Sequence, residues 1–498
     1  MKTLLLSHIF NLSPLLILVI TALFVLVLDA LFPKGDKKLV FTLSLVGLLI
    51  SAVASFQLWQ LDSLSLFNEA IRIDRFSLFF TLLSLAISFL TFLSAFPAIK
   101  DNTLPAGEFP FFLLLCCTGM SLMAWSTDLI TLFLSLEIMS VTAYILTGIE
   151  RDRLTSSEGA LKYFLLGAFS TGFLLYGIAL IYASIGSTQF LVLSNHILTA
   201  EQHSLSPLFY TGIGLFTVGL AFKMAVVPFH MWVPDVYEGA PTSITAFMAT
   251  GIKAVSLAAF IRFFLVTLLP LKADWNMVLL CFAVLTMTVG NLAALVQTNI
   301  KRMLAYSSIA HAGYIFIAVC ATSSQSFEFA ISSILFYLIA YGLMTLGAFA
   351  IVTYASPSQG KNLISNYVGF GFRSPLLGIA MILFMLSFIG VPPTAGFMGK
   401  FYLFGSAIKS HLFWLAIVGI INSVISSYYY LRVLVAFYMT QSHSSHLEQQ
   451  VIPKAEGLRD LPLSLGLVLL ITAVGVLLLG LFPTQIFNFI LKSVTPLL

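Results

Sequence analysis

Residues 220–242 read LAFKMAVVPFHMWVPDVYEGAPT. A lysine, Lys223, stands near the end of an apolar helical run. Pro228 then removes a backbone donor and clashes with the preceding turn, so the helix cannot run straight through. His230 follows, then Pro234, and a second apolar run starts beyond Pro241. The stretch between Pro228 and Pro241 leaves room for a short extra helix. What such a charged, broken helix means depends on what surrounds it.

The surroundings are lipid-like. The chain has 498 residues, of which 59% are apolar and only 9% charged, with 24 Lys and Arg against 20 Asp and Glu. Mean hydropathy is +1.02. Soluble domains carry roughly 25% charged residues. A soluble globule, a disordered chain and a disulfide-stapled secreted protein are thereby excluded. The fold class is an all-α polytopic membrane protein in a lipid bilayer. A net charge of +4, with the bases scattered, offers no nucleic-acid surface. Cys116, Cys117, Cys281 and Cys320 lie in apolar stretches without a Cys-x-x-Cys spacing and read as small buried hydrophobes. His443 and His446 lack further ligands, so no metal is expected. No phosphate loop or dinucleotide fingerprint is present, so the chain is expected to bind no cofactor itself. The first span, Leu15 to Phe32, reads as a retained helix and not a signal peptide.

A hydropathy pass gives about 14 spans. Their limits are 12–32, 39–60, 75–97, 109–125, 127–148, 160–184, 206–227, 241–267, 275–297, 303–322, 327–354, 375–410, 412–438 and 462–483. The twelfth is too long and holds Gly390, Pro392, Pro393 and Gly396, so it is expected to be two halves of one broken helix. The positive-inside rule orients the set with both termini outside. Lys34, Lys37, Lys38, Lys100, Arg151, Arg153, Lys162, Lys301, Arg302, Lys361, Arg373, Arg432, Lys454 and Arg459 then face the cytoplasm. Lys2, Arg72, Arg75, Lys272, Lys409 and Lys492 face outward, and Arg262 lies near the outer end of its span. The two breaks fall in the seventh and twelfth spans. An odd offset of five gives opposite topology, as inverted repeats require. A single membrane domain, 1–498, is expected: helices 1–3 in 1–108, a first repeat in 109–267, a second in 275–438, and a loop with the last helix in 439–498.

Four charges remain at depth: Glu137, Lys223, Lys253 and Lys400. Intramembrane charge is costly and marks function by default. Fixed ion pairs would leave two of the three lysines without a partner. A lysine gains and loses its proton readily when buried, whereas an arginine stays charged. A Glu–Lys pair that closes and opens is therefore a switchable proton site. His230 reads as a relay or as a loop histidine capping a helix end, His311 as a relay or a hydrogen-bonded packing histidine, and Lys162 as a relay or a cytoplasmic anchor. Arg432 reads as an interfacial anchor.

The run 220–242 resembles the antiporter-like subunits of respiratory complex I, and its Val-Tyr-Glu-Gly insert before Ala240 resembles the subunit N (subunit 2) type. Supporting stretches are Asp128–Glu137, Ala160–Phe164, Asn299–Ser308 and Gly390–Lys400. The resemblance implies a proton-translocating module of a NADH (or ferredoxin):quinone oxidoreductase. It implies that FMN, iron–sulfur clusters and quinone sit in partner subunits, and that the other membrane-arm subunits are its partners. Glu137 and Lys223 match the family's paired site, Lys253 its central lysine and Lys400 its terminal one. Lys162 and His230 match secondary positions. The related M subunit has a glutamate where Lys400 stands. A subunit of a multisubunit Na+/H+ antiporter is the alternative, since it shares the lysines and breaks, and a structural scaffold is a third reading. A bacterial inner membrane is the expected location.

Overall fold

Lipid offers no hydrogen-bond partners, so so apolar a chain must close its backbone bonds inside helices. The computed structural model describes residues 9–32, 37–199, 205–323, 325–355, 362–439 and 461–497. Lys2, Lys34, Lys361, His443, His446, Lys454 and Arg459 lie outside the described residues. Among the described residues, 13 helices are long and apolar enough to cross a membrane.

The chain begins with α1 (Ser13–Leu31) and α2 (Lys37–Leu58). A small antiparallel hairpin follows, β1 (Leu64–Leu66) with β2 (Ile71–Ile73), Leu64 opposite Ile73. Next come α3 (Arg75–Lys100), α4 (Glu108–Trp125), α5 (Leu129–Thr147), α6 (Leu154–Ile185), the short α7 (Phe190–Thr199) and α8 (Pro207–Met224). After the first break come α9 (Val233–Gly239) and α10 (Thr242–Thr267). The remainder is α11 (Lys272–Leu295), α12 (Ile300–Cys320), α13 (Phe327–Ala355), α14 (Pro375–Ile389), α15 (Ala395–Lys409), α16 (Phe413–Tyr438), α17 (Leu463–Leu481) and α18 (Pro483–Val494).

Local chemistry sets the ends. Asp74 and Ser77 form a reciprocal capping box at the start of α3. Asp128 caps α5, Ser206 caps α8 and Asn299 caps α12 by accepting from the first free amides. The first break opens at Ala225 and the second at Gly390, both with a left-handed backbone (φ 59° and 90°). Val227-Pro228 and Pro392-Pro393 are cis. The expected long twelfth span is thus two 15-residue halves, α14 and α15.

Three elements differ from the sequence reading. The hairpin, α7 and the amphipathic α18 were not expected, because a hydropathy window finds only long apolar runs. Also, α6 starts six residues before the expected limit of 160. Its added first turn packs against α9, and Gly239 permits that contact: a Cβ there would come 2.3 Å from the Thr155 carbonyl of α6.

Burial is uneven and places the site. Helices α10, α12 and α13 are almost wholly enclosed, whereas α1, α2, α16 and α17 turn much of their surface outward. Helix α10 is also interrupted by π-helical turns at Met248–Ile252 and Ile261–Thr267. Such turns often mark functional positions. Small residues permit the tightest contacts. A Cβ on Gly177 of α6 would come 2.6 Å from the Gly212 carbonyl of α8, and one on Gly396 would come 1.8 Å from the Ser387 carbonyl of α14. The α14–α15 break therefore has no room for a methyl group. Gly396→Ala should destabilise the chain by at least about 1–3 kcal/mol, the range for overpacking. Its thermal midpoint in detergent, compared with that of Gly172→Ala, where a Cβ meets nothing within 4 Å, checks this.

Candidate proton-transfer site

The deep charges occupy four different helices. Glu137, Ser140 and Tyr144 are spaced by three and four residues, so they share one face of α5. One carboxylate oxygen of Glu137 is buried without a hydrogen-bond partner. Lys223, in the last turn of α8, is fully buried. Its ammonium donates to the Tyr144 hydroxyl at 3.0 Å and lies 5.0 Å from the Tyr144 ring centre and 5.3 Å from that of Tyr163. Glu137 and Lys223 make no ion pair within 4.0 Å. The structure holds this pair open, with Tyr144 as the lysine's partner.

Aromatic packing fixes the break beside it. Trp232 stacks on Tyr163 at 4.4 Å and donates to the Phe222 carbonyl, 3.1 Å away. This satisfies one of the carbonyls that the end of α8 leaves open. His230 is half-buried within the break, its Nδ1 enclosed and without a partner. Pro228 borders a separate, largely apolar cavity of about 390 Å³ between α8 and α11.

Lys253 follows the first π turn of α10. It donates to the Ser308 hydroxyl at 2.5 Å and the Ser308 carbonyl at 3.0 Å. Ser308, His311 and Tyr314 are three residues apart on α12 and so lie along one face. A cavity of about 20 Å³ touches Thr250, Lys253, Ser308, His311 and Tyr341. That is room for about one water, among polar groups able to bond it. His311 is buried, with Nδ1 bonded to the Tyr337 hydroxyl and Nε2 2.9 Å from that of Tyr430. Tyr430 also bonds Ser307. Each of these hydroxyls can donate or accept, so the chain can pass a proton by reversing its bonds.

Lys400 lies at the far end, on α15. It donates to the carbonyls of Phe388 and Ile389 at 2.8 and 2.9 Å, and to the Ser423 hydroxyl at 2.8 Å. These carbonyls end α14 at the break. The Lys400 ammonium lies 5.0 Å from the Tyr314 ring centre, and the Tyr314 hydroxyl accepts from Asn291 at 2.9 Å. Lys253, His311 and Lys400 thus gather around α12. The Pro392-Pro393 turn itself is exposed.

Lys162 is elsewhere. It is half-exposed and pairs with Glu158 at 2.7 Å and Asp235 at 2.8 Å. Arg302 joins the group through Asp235 at 2.7 Å and Glu238 at 2.9 Å. Lys301, which the sequence placed at a water-facing end, is buried and donates to the Glu238 and Ala240 carbonyls. Arg432 caps α11 through the carbonyls of Leu295 and Gln297. Partial burial pushes the Asp235 carboxyl up, but Lys162 and Arg302 outweigh it and hold the group below its ordinary value of 3.8.

The sequence reading missed Tyr144, Ser308, Tyr337, Tyr430 and Ser423. Spacing could have found the first two, since Tyr144 is seven residues from Glu137 and Ser308 three from His311. Tyr337, Tyr430 and Ser423 come from distant helices and carry no local signal.

Residues 126–426 match the family described as NADH:quinone oxidoreductase/Mrp antiporter, transmembrane. A NADH-quinone oxidoreductase subunit N from Trichlorobacter lovleyi is 41% identical over 482 residues, covering 97% of this chain and 96% of the relative. The corresponding Chloroflexus aggregans protein is 39% identical over 490 residues, covering 98% and 97%. Among solved structures, a chain of respiratory complex I from Thermus thermophilus with bound aureothin superposes with a TM-score of 0.78 at 32% identity, covering 95% of this chain and 98% of that one. A chain of the Mrp complex from Dietzia shares the fold, with a TM-score of 0.82 at 19% identity and coverage of 98% and 97%.

The Asp235 cluster yields a pH prediction. A carboxyl held below its unfolded value stabilises the fold above that value, and the contribution is lost as pH falls through the folded one. Asp235→Asn should therefore lower the thermal midpoint at neutral pH. The gap to the parent should close only in acid, below the ordinary value of 3.8. A gap of constant size from pH 7 downward would assign the loss to packing.

Proposed function

This chain belongs to the NADH:quinone oxidoreductase/Mrp antiporter family, among the subunit N proteins of complex I, and from that premise we propose which of its residues carry the protons. The chain is a proton-translocating, antiporter-like subunit of an integral membrane complex, with other membrane-arm subunits as partners. Its cofactors belong to those partners. NADH or ferredoxin, FMN, iron–sulfur clusters and quinone are the set we assign to them.

The path runs from Glu137 and Lys223, through Lys253, to Lys400. The observation that carries this reading is a pair of hydrogen-bonded groups, Lys253–Ser308 and Tyr337–His311–Tyr430, that border one cavity with room for about one water, with Lys400 packed against Tyr314 of α12. A nearby carboxylate favours the ammonium form of a lysine, and its withdrawal favours release. Closing the Glu137–Lys223 gap would hold a proton on Lys223. Opening it, with Tyr144 taking the lysine, frees the proton to move on. His230 lies in the break between Lys223 and α10 and serves as the intermediate stop. Lys162, tied to two carboxylates, biases the first site by charge without lying on the path.

Two inverted repeats of five spans each, α4–α10 with the short α7 and α9 between spans and α11–α16 with α14 and α15 as one broken span, organise the path around the helix breaks. The side bearing Asp235 and Arg302 is assigned to the cytoplasm by its basic residues, which puts both termini outside a bacterial inner membrane. The Na+/H+ antiporter alternative shares this fold. Co-purification with NADH- or ferredoxin-oxidising subunits supports the oxidoreductase. Assembly only with antiporter subunits, together with sodium exchange, would overturn it.

Lys223→Ala and Glu137→Ala should each lower the protons pumped per NADH oxidised in the assembled complex. A normal ratio in both variants would sink the assignment. Lys400→Glu should retain more pumping than Lys400→Ala, because a carboxyl still exchanges protons at that position. Equal losses would count against a titrating role for Lys400.

A further inference from the structure

The two ends of α10 differ. Its first residue, Thr242, borders a polar cavity of about 1140 Å³ that also touches Glu108, Glu150, Asp152 and Arg153. Its later turns are mostly apolar and buried. Between Lys253 and Arg262 no side chain is titratable, all are buried, and the Ser256 hydroxyl is tied to the Ile252 carbonyl at 2.7 Å. Nine residues at about 1.5 Å each put Arg262 roughly 13 Å beyond Lys253.

Arg262, near the end of its span, is only 4% exposed. It pairs with Asp74 at 2.6 Å, donates from Nε to the Ala124 carbonyl at 3.0 Å, and lies 5.0 Å from the Phe76 ring centre. Asp74 is itself buried at the start of α3, where it also accepts the Ser77 amide at 2.8 Å. Arg72 approaches its other oxygen at 3.6 Å. The guanidinium therefore joins α10 to the start of α3 and the end of α4, and two arginines face one carboxylate. Its charge is permanent, unlike that of the three deep lysines. Fixed positive charge at a constriction excludes protons and cations.

We propose that Arg262, held by Asp74, is a fixed electrostatic plug at the far end of α10. It stops a proton on Lys253 from leaving along its own helix, so the exit through Ser308 and His311 on α12 is the one left open. The inference rests on Lys253 being a proton carrier.

The test uses the complete oxidoreductase complex in liposomes, without NADH. Proton entry after an external acid jump is followed with an internal pH dye. Arg262→Lys replaces the permanent charge with one that can release its proton and should raise passive entry about tenfold. Asp74→Asn keeps the arginine charged, and its side-chain carbonyl can still accept from Ser77 and Arg262, so entry should stay at the parent level. A tight R262K complex would overturn the proposal. So would a D74N complex that leaks as much as R262K, because the seal would then be a matter of packing. If R262K does not assemble, D74N decides alone: a tight complex supports the charge and a leaky one overturns it. Adding Lys253→Met to R262K separates the two ideas. Loss of the leak supports the proposal and places Lys253 on the route, whereas an undiminished leak overturns it at its premise: Arg262 would still seal, but not against a proton on Lys253.

Discussion

The structure depends on how carbonyls at helix ends are satisfied inside a medium without water. Each helix leaves its last four carbonyls unbonded, and in lipid such groups are costly. This chain meets many of them with basic or indole side chains from other helices. Lys400 takes Phe388 and Ile389, Lys301 takes Glu238 and Ala240, and Lys272 takes Cys320. Arg262 takes Ala124, Arg432 takes Leu295, and Trp232 takes Phe222. The negative end of a helix dipole also favours a cation there. Five of the 24 bases are held by backbone carbonyls in this way.

That constraint divides the bases by chemistry. Arginines occupy places where charge must persist, at Asp74 and at the Asp235–Glu238 cluster. The three deep lysines each have a hydroxyl within reach: Tyr144 for Lys223, and, beside backbone carbonyls, Ser308 for Lys253 and Ser423 for Lys400. A lysine bonded to a carbonyl and a hydroxyl can lose a proton and keep one partner. An arginine forked between a carboxylate and a carbonyl cannot. The helix breaks bring the two devices together, since they create open carbonyls at membrane depth and space for side chains to move.

Much of this was legible along the chain. Pro228 and the Gly390–Gly396 segment announce the breaks because proline and glycine act locally. Lys223, Lys253 and Lys400 stand out because an isolated base in an apolar run is conspicuous. Tyr144 and Ser308 lay within reach of helical spacing. Tyr337, Tyr430 and Ser423 did not, because an aromatic or hydroxyl residue in a membrane helix has no signature until the facing helix is known. The burial of Lys301 and Arg262 was hidden for a related reason. Position near the end of a span suggests exposure, but partners on other helices buried both.

The sequence by itself determined that the chain is a membrane bundle, where two of its helices break and which charges lie deep. These follow from hydropathy, proline geometry and the cost of charge in lipid, all of which act over a few turns. Only the tertiary structure decided which groups those charges meet: that Lys223 rests on Tyr144 and not on Glu137, that α12 lies between Lys253 and Lys400, and that Arg262 is clamped by Asp74. Those partners come from helices tens to more than a hundred residues away, and their choice is set by how the helices pack.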